Sequence, residues 1–178
     1  VAIDLLSRSD LFSFSILANS AINEKWRAAS AKAVQELTDP ELPKVLEQYK
    51  LHPCDKFIRE LAITYGPIYF PELGNIVAKA VMSGFHYRND AIEFNSTKVY
   101  PGMNLLEQAK AVEVPSLVIA GNKDIVVPLL CQEEMVGSLK SGALVGIPGA
   151  GHFPFVTKNH EFINAINNWW EKISKECK

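Results

Sequence analysis

The sequence predicts an α/β fold: a parallel sheet with flanking helices, interrupted by a long helical insert. Two observations carry that expectation. Short apolar runs of strand length, LFSFSILANSA early and then VPSLVIAGNKD and ALVGIPGAGH, alternate with helical patterns, as in βα units whose strands are buried on both faces. Between the first run and the other two, strand candidates vanish and amphipathic helical spacing takes over.

In chain order, VAIDLLSRSD reads as a helix with Val1, Leu5 and Leu6 on one face, ended by Ser9 and Asp10. It opens in mid-pattern, with no initiator Met, N-cap residue or basic signal region, so the expectation is a chain cut from a longer polypeptide. LFSFSILANSA predicts a strand over 11–21. Helices are predicted over 25–37, 41–50, 55–64 and 72–82, with Pro40, Pro43, Pro53, Pro67 and Pro71 at their starts or between them. Residues 23–95 are thus assigned to the insert, and 1–22 with 96–178 to the α/β core. The insert's aromatics (Trp26, Tyr49, Phe57, Tyr65, Tyr69, Phe70, Phe85, Tyr87 and Phe94) are read mainly as its own core, with some available to line a pocket. Downstream, MNLLEQAKAVE and PLLCQEEMVGSLK predict helices around the strand VPSLVIAGNKD, and ALVGIPGAGH a further strand. A terminal helix carries Phe162, Ile166, Trp169, Trp170 and Ile173 at 3- and 4-residue spacing.

Composition narrows the function classes. The 18 basic and 20 acidic residues are mixed along the chain, without the charge runs of a nucleic-acid arm. No apolar stretch reaches membrane-span length. Cys54, Cys131 and Cys177 are distant and odd in number, which suits reduced thiols in a cytosolic protein, with Cys177 solvent-facing in a charged tail. No His/Cys/Asp cluster has metal-ligand spacing, and no cofactor is implied.

Chemistry in an open parallel sheet gathers at the carboxyl ends of its strands. SLVIAG exits into Asn122, Lys123 and Asp124; ALVGIP exits into Gly149, Ala150, Gly151 and His152. Alone, Asp124 suits a helix cap and His152 an ordinary loop histidine. At matching strand ends they suit a carboxylate that orients an imidazole for proton transfer, with glycines that let the chain turn before His152. The other histidines lack such a setting: His52 precedes a proline, His86 lies between insert helices, and His160 faces out from the last helix.

VPSLVIAGNKDIVVP and IPGAGHFPFVTKNHEFINAINNWW resemble the last two strands of the α/β-hydrolase superfamily, whose triad runs nucleophile, acid, histidine. The resemblance implies a partial α/β-hydrolase fold, with Asp124 as acid, His152 as base and the insert as lid. It places VAIDLLSRSD as the helix behind the nucleophile elbow and LFSFSILANSA as the strand after it. No G-x-S-x-G occurs in the chain, and Ser83, flanked by Met82 and Gly84, sits in the insert as a poor candidate. The nucleophile and the oxyanion donors are therefore expected before Val1, and the chain alone is expected to be inactive. TYGPIYFPE, HYRNDAIEFN and the GHFPF ending are closest to proline iminopeptidase-like members. These imply a small ester, amide or short peptide as substrate, and lid acids that hold an amine. Glu60, Glu72 and Glu93 are the available carboxylates, each otherwise a solvated helix charge. Two other readings keep the fold: an epoxide hydrolase or dehalogenase with an Asp nucleophile, and a non-catalytic binding fragment. An open sheet edge further implies pairing with the missing half of the fold or self-association.

Overall fold

The computed structural model describes residues 2–8, 11–35 and 40–176. Val1, Ser9, Asp10, Leu37 and Cys177, which the sequence reading placed on a helix face, at helix ends and in the tail, lie outside the described residues. Helix α1 (Ala2–Leu6) buries Ile3 and Leu6, while Leu5, expected on the covered face, is exposed. Strand β1 (Ser15–Ala18) is much shorter than the apolar run that predicted it. Leu11, Phe12 and Phe14 remain exposed, because hydrophobicity favours a strand only where a neighbouring ladder exists. Phe14 instead sets its ring against Trp169 and Trp170, at 6.1 and 5.0 Å.

The helical segment contains α2 (Lys25–Gln35), α3 (Leu42–Leu51), α4 (Asp55–Thr64), α5 (Gly66–Tyr69), α6 (Asn75–Ser83) and α7 (Asn89–Phe94). A π-helical turn, Asn95–Val99, closes it. Pro43 and Pro67 occupy first turns of α3 and α5, where no amide donor is needed. The helix expected from Glu72 begins three residues later, because the Leu73 N–H bonds back to the Phe70 carbonyl at 3.0 Å and makes a turn there. The two ends of the segment meet at an antiparallel bridge between Asn23 and Asn104. Glu24 N–H to Met103 O and Leu105 N–H to Ile22 O, both 2.9 Å, flank that bridge.

Helix α8 (Leu106–Ala111), β2 (Ser116–Gly121), α9 (Leu129–Ser138), β3 (Gly142–Ile147), α10 (Pro154–Thr157) and α11 (Asn159–Glu176) follow. The sheet order is β1-β2-β3, all parallel, with Ser15 opposite Ser116 and Ser116 opposite Gly142. Every residue of β2 is buried, as the central strand of a sheet covered on both faces must be. Its side chains alternate. Val118 joins Ile3, Leu6, Leu17, Met135 and Leu139 on one face, while Leu117 and Ile119 join Ile147, Ala165 and Trp169 on the other.

Two further clusters, around Leu42, Ile58, Leu61 and Ile68 and around Phe70, Ala78 and Met82, hold the helical segment together. Ile125 and Val126 from the loop after β2 pack into the first, and Phe153 from the loop after β3 packs into the second. The segment is thereby seated over the carboxyl ends of the strands. No helix among the described residues is long and apolar enough to cross a membrane.

Candidate active site

The loops after β2 and β3 are stitched together by backbone. Asn122 N–H donates to Ile147 O at 3.1 Å and Lys123 N–H to Ala150 O at 2.8 Å. This carries Asp124 and His152 to neighbouring tips of the sheet, where His152 Nδ1 lies 2.9 Å from Asp124 Oδ2. Asp124 is 4% exposed and its carboxylate is fully partnered. Oδ1 accepts the Val126 and Val127 N–H groups at 2.8 and 3.0 Å. Asp124 therefore does not cap the following helix, which starts at Leu129 behind Pro128 with no side-chain cap; Oδ1 closes a turn within the loop while Oδ2 faces His152.

Two glycines shape the loop that bears His152. Gly149 adopts φ 74°, a left-handed conformation that costs other residues energy. At Gly151 there is no room for a side chain: a Cβ would stand 2.4 Å from Pro71 Cδ and 2.5 Å from Tyr69 O. The imidazole is held from the helical side as well. His152 N–H donates to Tyr69 O at 2.9 Å, and the Tyr69 ring meets the imidazole edge-on at 5.5 Å. A carboxylate that accepts from Nδ1–H leaves the Nε2 lone pair available as a base.

His152 lines a cavity of about 400 Å³ together with Ala2, Asn19, Ser20, Trp26 and Tyr69. Trp26, Tyr69 and Tyr100 also line a second, more apolar cavity of about 460 Å³, with Tyr65, Tyr87 and Phe153. Of the insert aromatics, Phe85 lines this second cavity too, whereas Tyr49, Phe57, Phe70 and Phe94 line neither. Burial pushes the Tyr69 hydroxyl up to about 12, with smaller contributions from Tyr65, Tyr87, Asp124 and Tyr100.

The three carboxylates of the helical segment that the sequence offered for an amine do not meet at this site. Glu60 lines a separate groove and is exposed, as is Glu93. Glu72 departs from the solvated-charge expectation. Its Oε2 accepts the Gly151 N–H at 3.1 Å and its Oε1 accepts the Thr157 hydroxyl, so it ties the helical segment to the His152 loop. His52, His86 and His160 are exposed, and His86 lines the second cavity. Cys131 is buried, and desolvation pushes its thiol up. Ser83 is exposed and bonds the Ala80 carbonyl. Among the described residues, no group of three or more His, Cys, Asp or Glu is placed to hold a metal ion.

Sequence reasoning passed over Asn19, at the third strand tip. It follows β1, has φ 44°, and donates from Nδ2 to Asp124 Oδ2 at 2.6 Å. An asparagine directly after a strand run, in a residue type that tolerates the left-handed region, was the available signal.

No protein-family model and no curated protein matches the sequence. Solved structures do match. An alpha/beta fold family hydrolase from Bacillus anthracis str. Sterne superposes with TM-score 0.72 at 12% identity, over 92% of this chain and 61% of that one. Proline iminopeptidase from Mycobacterium smegmatis gives 0.66 at 14% identity, over 97% and 61%. The enol-lactonase from Burkholderia xenovorans LB400 gives 0.64 at 18% identity, over 95% and 60%. The chain has the α/β-hydrolase fold in part: its three parallel strands and their helices span about 60% of the length of these structures.

Proposed function

We propose that this chain supplies the acid, the base and the lid of a serine hydrolase that cleaves a small ester or amide bond. In this reading Asp124 orients His152, and His152 Nε2 takes the proton of a serine hydroxyl as it attacks the substrate carbonyl. Asp124 stabilises the imidazolium, which then returns that proton to the leaving group; water repeats the sequence to release the acid. The serine and the oxyanion donors come from the portion of the fold that the matched structures have and this chain does not span. The helical segment 23–95 acts as lid. The contact that carries the reading is the 2.9 Å approach of His152 Nδ1 to a buried, fully partnered carboxylate.

The cavities support an uncharged, apolar group in the substrate. Trp26, Tyr69 and Tyr100 continue the His152 cavity into one walled by Tyr65, Tyr87 and Phe153, and Glu60, Glu72 and Glu93 line neither. A substrate ammonium would meet no carboxylate there, which favours an ester or amide with an apolar flank over an N-terminal prolyl peptide.

The test is p-nitrophenyl acetate hydrolysis by the 178-residue chain and by the chain joined to the remainder of the fold. The chain alone is expected to show no rate above buffer. The completed protein is expected to lose about 10⁴-fold in kcat with Asp124→Asn, and at least as much with His152→Ala. Hydrolysis by the chain alone that survives His152→Ala would overturn the assignment.

A further inference from the structure

Three strand tips, rather than two, converge on the candidate pair. Asn19 leaves β1, Asp124 leaves β2 and His152 leaves β3. The Asn19 N–H continues the ladder to Ile119 O at 2.9 Å, so its backbone is fixed to β2. Its side chain, 8% exposed as a residue, reaches Asp124 Oδ2 at 2.6 Å and Gly151 O at 3.5 Å. Asp124 Oδ2 is therefore clamped between an amide and an imidazole, while Oδ1 is held by two backbone N–H groups.

We infer that Asn19 is a positioning residue for the pair: its amide fixes the Asp124 carboxylate plane so that Oδ2 faces His152 Nδ1, and thereby sets the imidazole tautomer. The inference deepens the reading of Asp124 and His152 as acid and base, and rests on it for its functional meaning. Two features point to it beyond the hydrogen bond. Asn19 is the one non-glycine residue with positive φ among those described. Its Oδ1 is buried without a partner. The orphan carbonyl oxygen is unfavourable locally and follows from turning Nδ2 toward the carboxylate, while the left-handed backbone is one that asparagine tolerates better than most residues. The reversed amide would set a carbonyl oxygen against the Asp124 anion, so the pair dictates the orientation.

The experiment is histidine-detected NMR on the ¹⁵N-labelled 178-residue chain, with thermal unfolding in parallel. The parent is expected to show His152 as the Nδ1–H tautomer with a slowly exchanging ring proton. Asn19→Gly tolerates the same φ but lacks the amide, and should speed that exchange about tenfold or more. Asn19→Asp keeps shape and φ tolerance but places a second carboxylate beside the first. It replaces the N–H donor to Asp124 Oδ2 with an oxygen and should likewise speed that exchange about tenfold or more. If Asn19→Gly fails to fold, Asn19→Asp carries the test. Folded variants with the tautomer and exchange rate of the parent overturn the role of Asn19. The catalytic reading fails separately: shifted spectra together with His152-independent hydrolysis in the completed protein keep the positioning role and remove the triad.

Discussion

Tyr69 sets its ring edge against His152 and stacks on Phe153 at 5.6 Å, which strips water from its hydroxyl. Its pKa is raised from 10.0 to about 12, chiefly by desolvation. A folded value above the unfolded one means that the contribution to stability is whole below pH 10.0 and is lost as pH rises toward about 12. The loss from this group is on the order of 2 kcal/mol. Urea unfolding at about pH 9 and about pH 11.5 should show Tyr69→Phe losing less stability than the parent by roughly that amount. Equal losses would clear Tyr69 as the source. Gly151 supports a second residue-scale prediction, from sterics alone. Its missing side chain would press on Pro71 and on the Tyr69 carbonyl, and backbone at that distance cannot swing away. Gly151→Ala should cost about 2 kcal/mol in chemical denaturation, as overpacking does. An unchanged unfolding midpoint would show that the loop yields.

Helix α11 tests the same physics at the scale of an element. Its 18 residues bury Ala165 and Trp169 against Leu117, Ile119 and Ile147, with Phe162, Ile166 and Ile173 alongside at helical spacing. Trp169→Ala should cost about 3 kcal/mol or more, since it opens a cavity beneath the sheet. Trp170→Ala should cost about 1 kcal/mol or less: the sequence put Trp170 on the same face, but it is 46% exposed and touches Phe14 from outside. Comparable losses for the two would mean that the helix is rotated from the arrangement described. Elements like this were legible because the pattern that shows is the pattern that packs. Helix α4 begins and ends where the spacing after Pro53 puts it, and β2 reads as a strand because Leu117 to Ala120 form an unbroken apolar run. Leu11, Phe12 and Phe14 misled for the converse reason: they are apolar residues that stand exposed ahead of β1. Helices α5 and α10, four residues each, are too short to show a period. That Asp124 and His152 meet was readable from parallel strand ends. The Asn19 contact was not, because it joins side chains 105 positions apart and depends on the register of β1 with β2.

At the scale of the whole molecule the unbalanced feature is the outer edge of β1. The Ser15 and Asn19 N–H groups donate inward, to Pro115 O and Ile119 O, so strand alternation turns the Ile16 and Ala18 backbone groups outward. Leu5, Leu11, Phe12 and Phe14 stand exposed nearby in sequence. A parallel edge with apolar flanks is a template for another strand. The matched structures carry a further portion of the fold beyond the roughly 60% spanned here, and we propose that portion as the occupant of this edge. Without that portion, copies of the chain are expected to pair edge to edge, and light scattering should report a mass above the monomer that grows with concentration. Ala18→Pro offers a clean intervention. It deletes an outward N–H without touching the ladder to β2, and proline is accommodated on an edge strand. The variant should return toward monomer mass while its secondary structure by circular dichroism matches the parent. A parent that is monodisperse and monomeric at high concentration would show that the edge is covered by the chain's own residues, and Ala18→Pro would then change nothing.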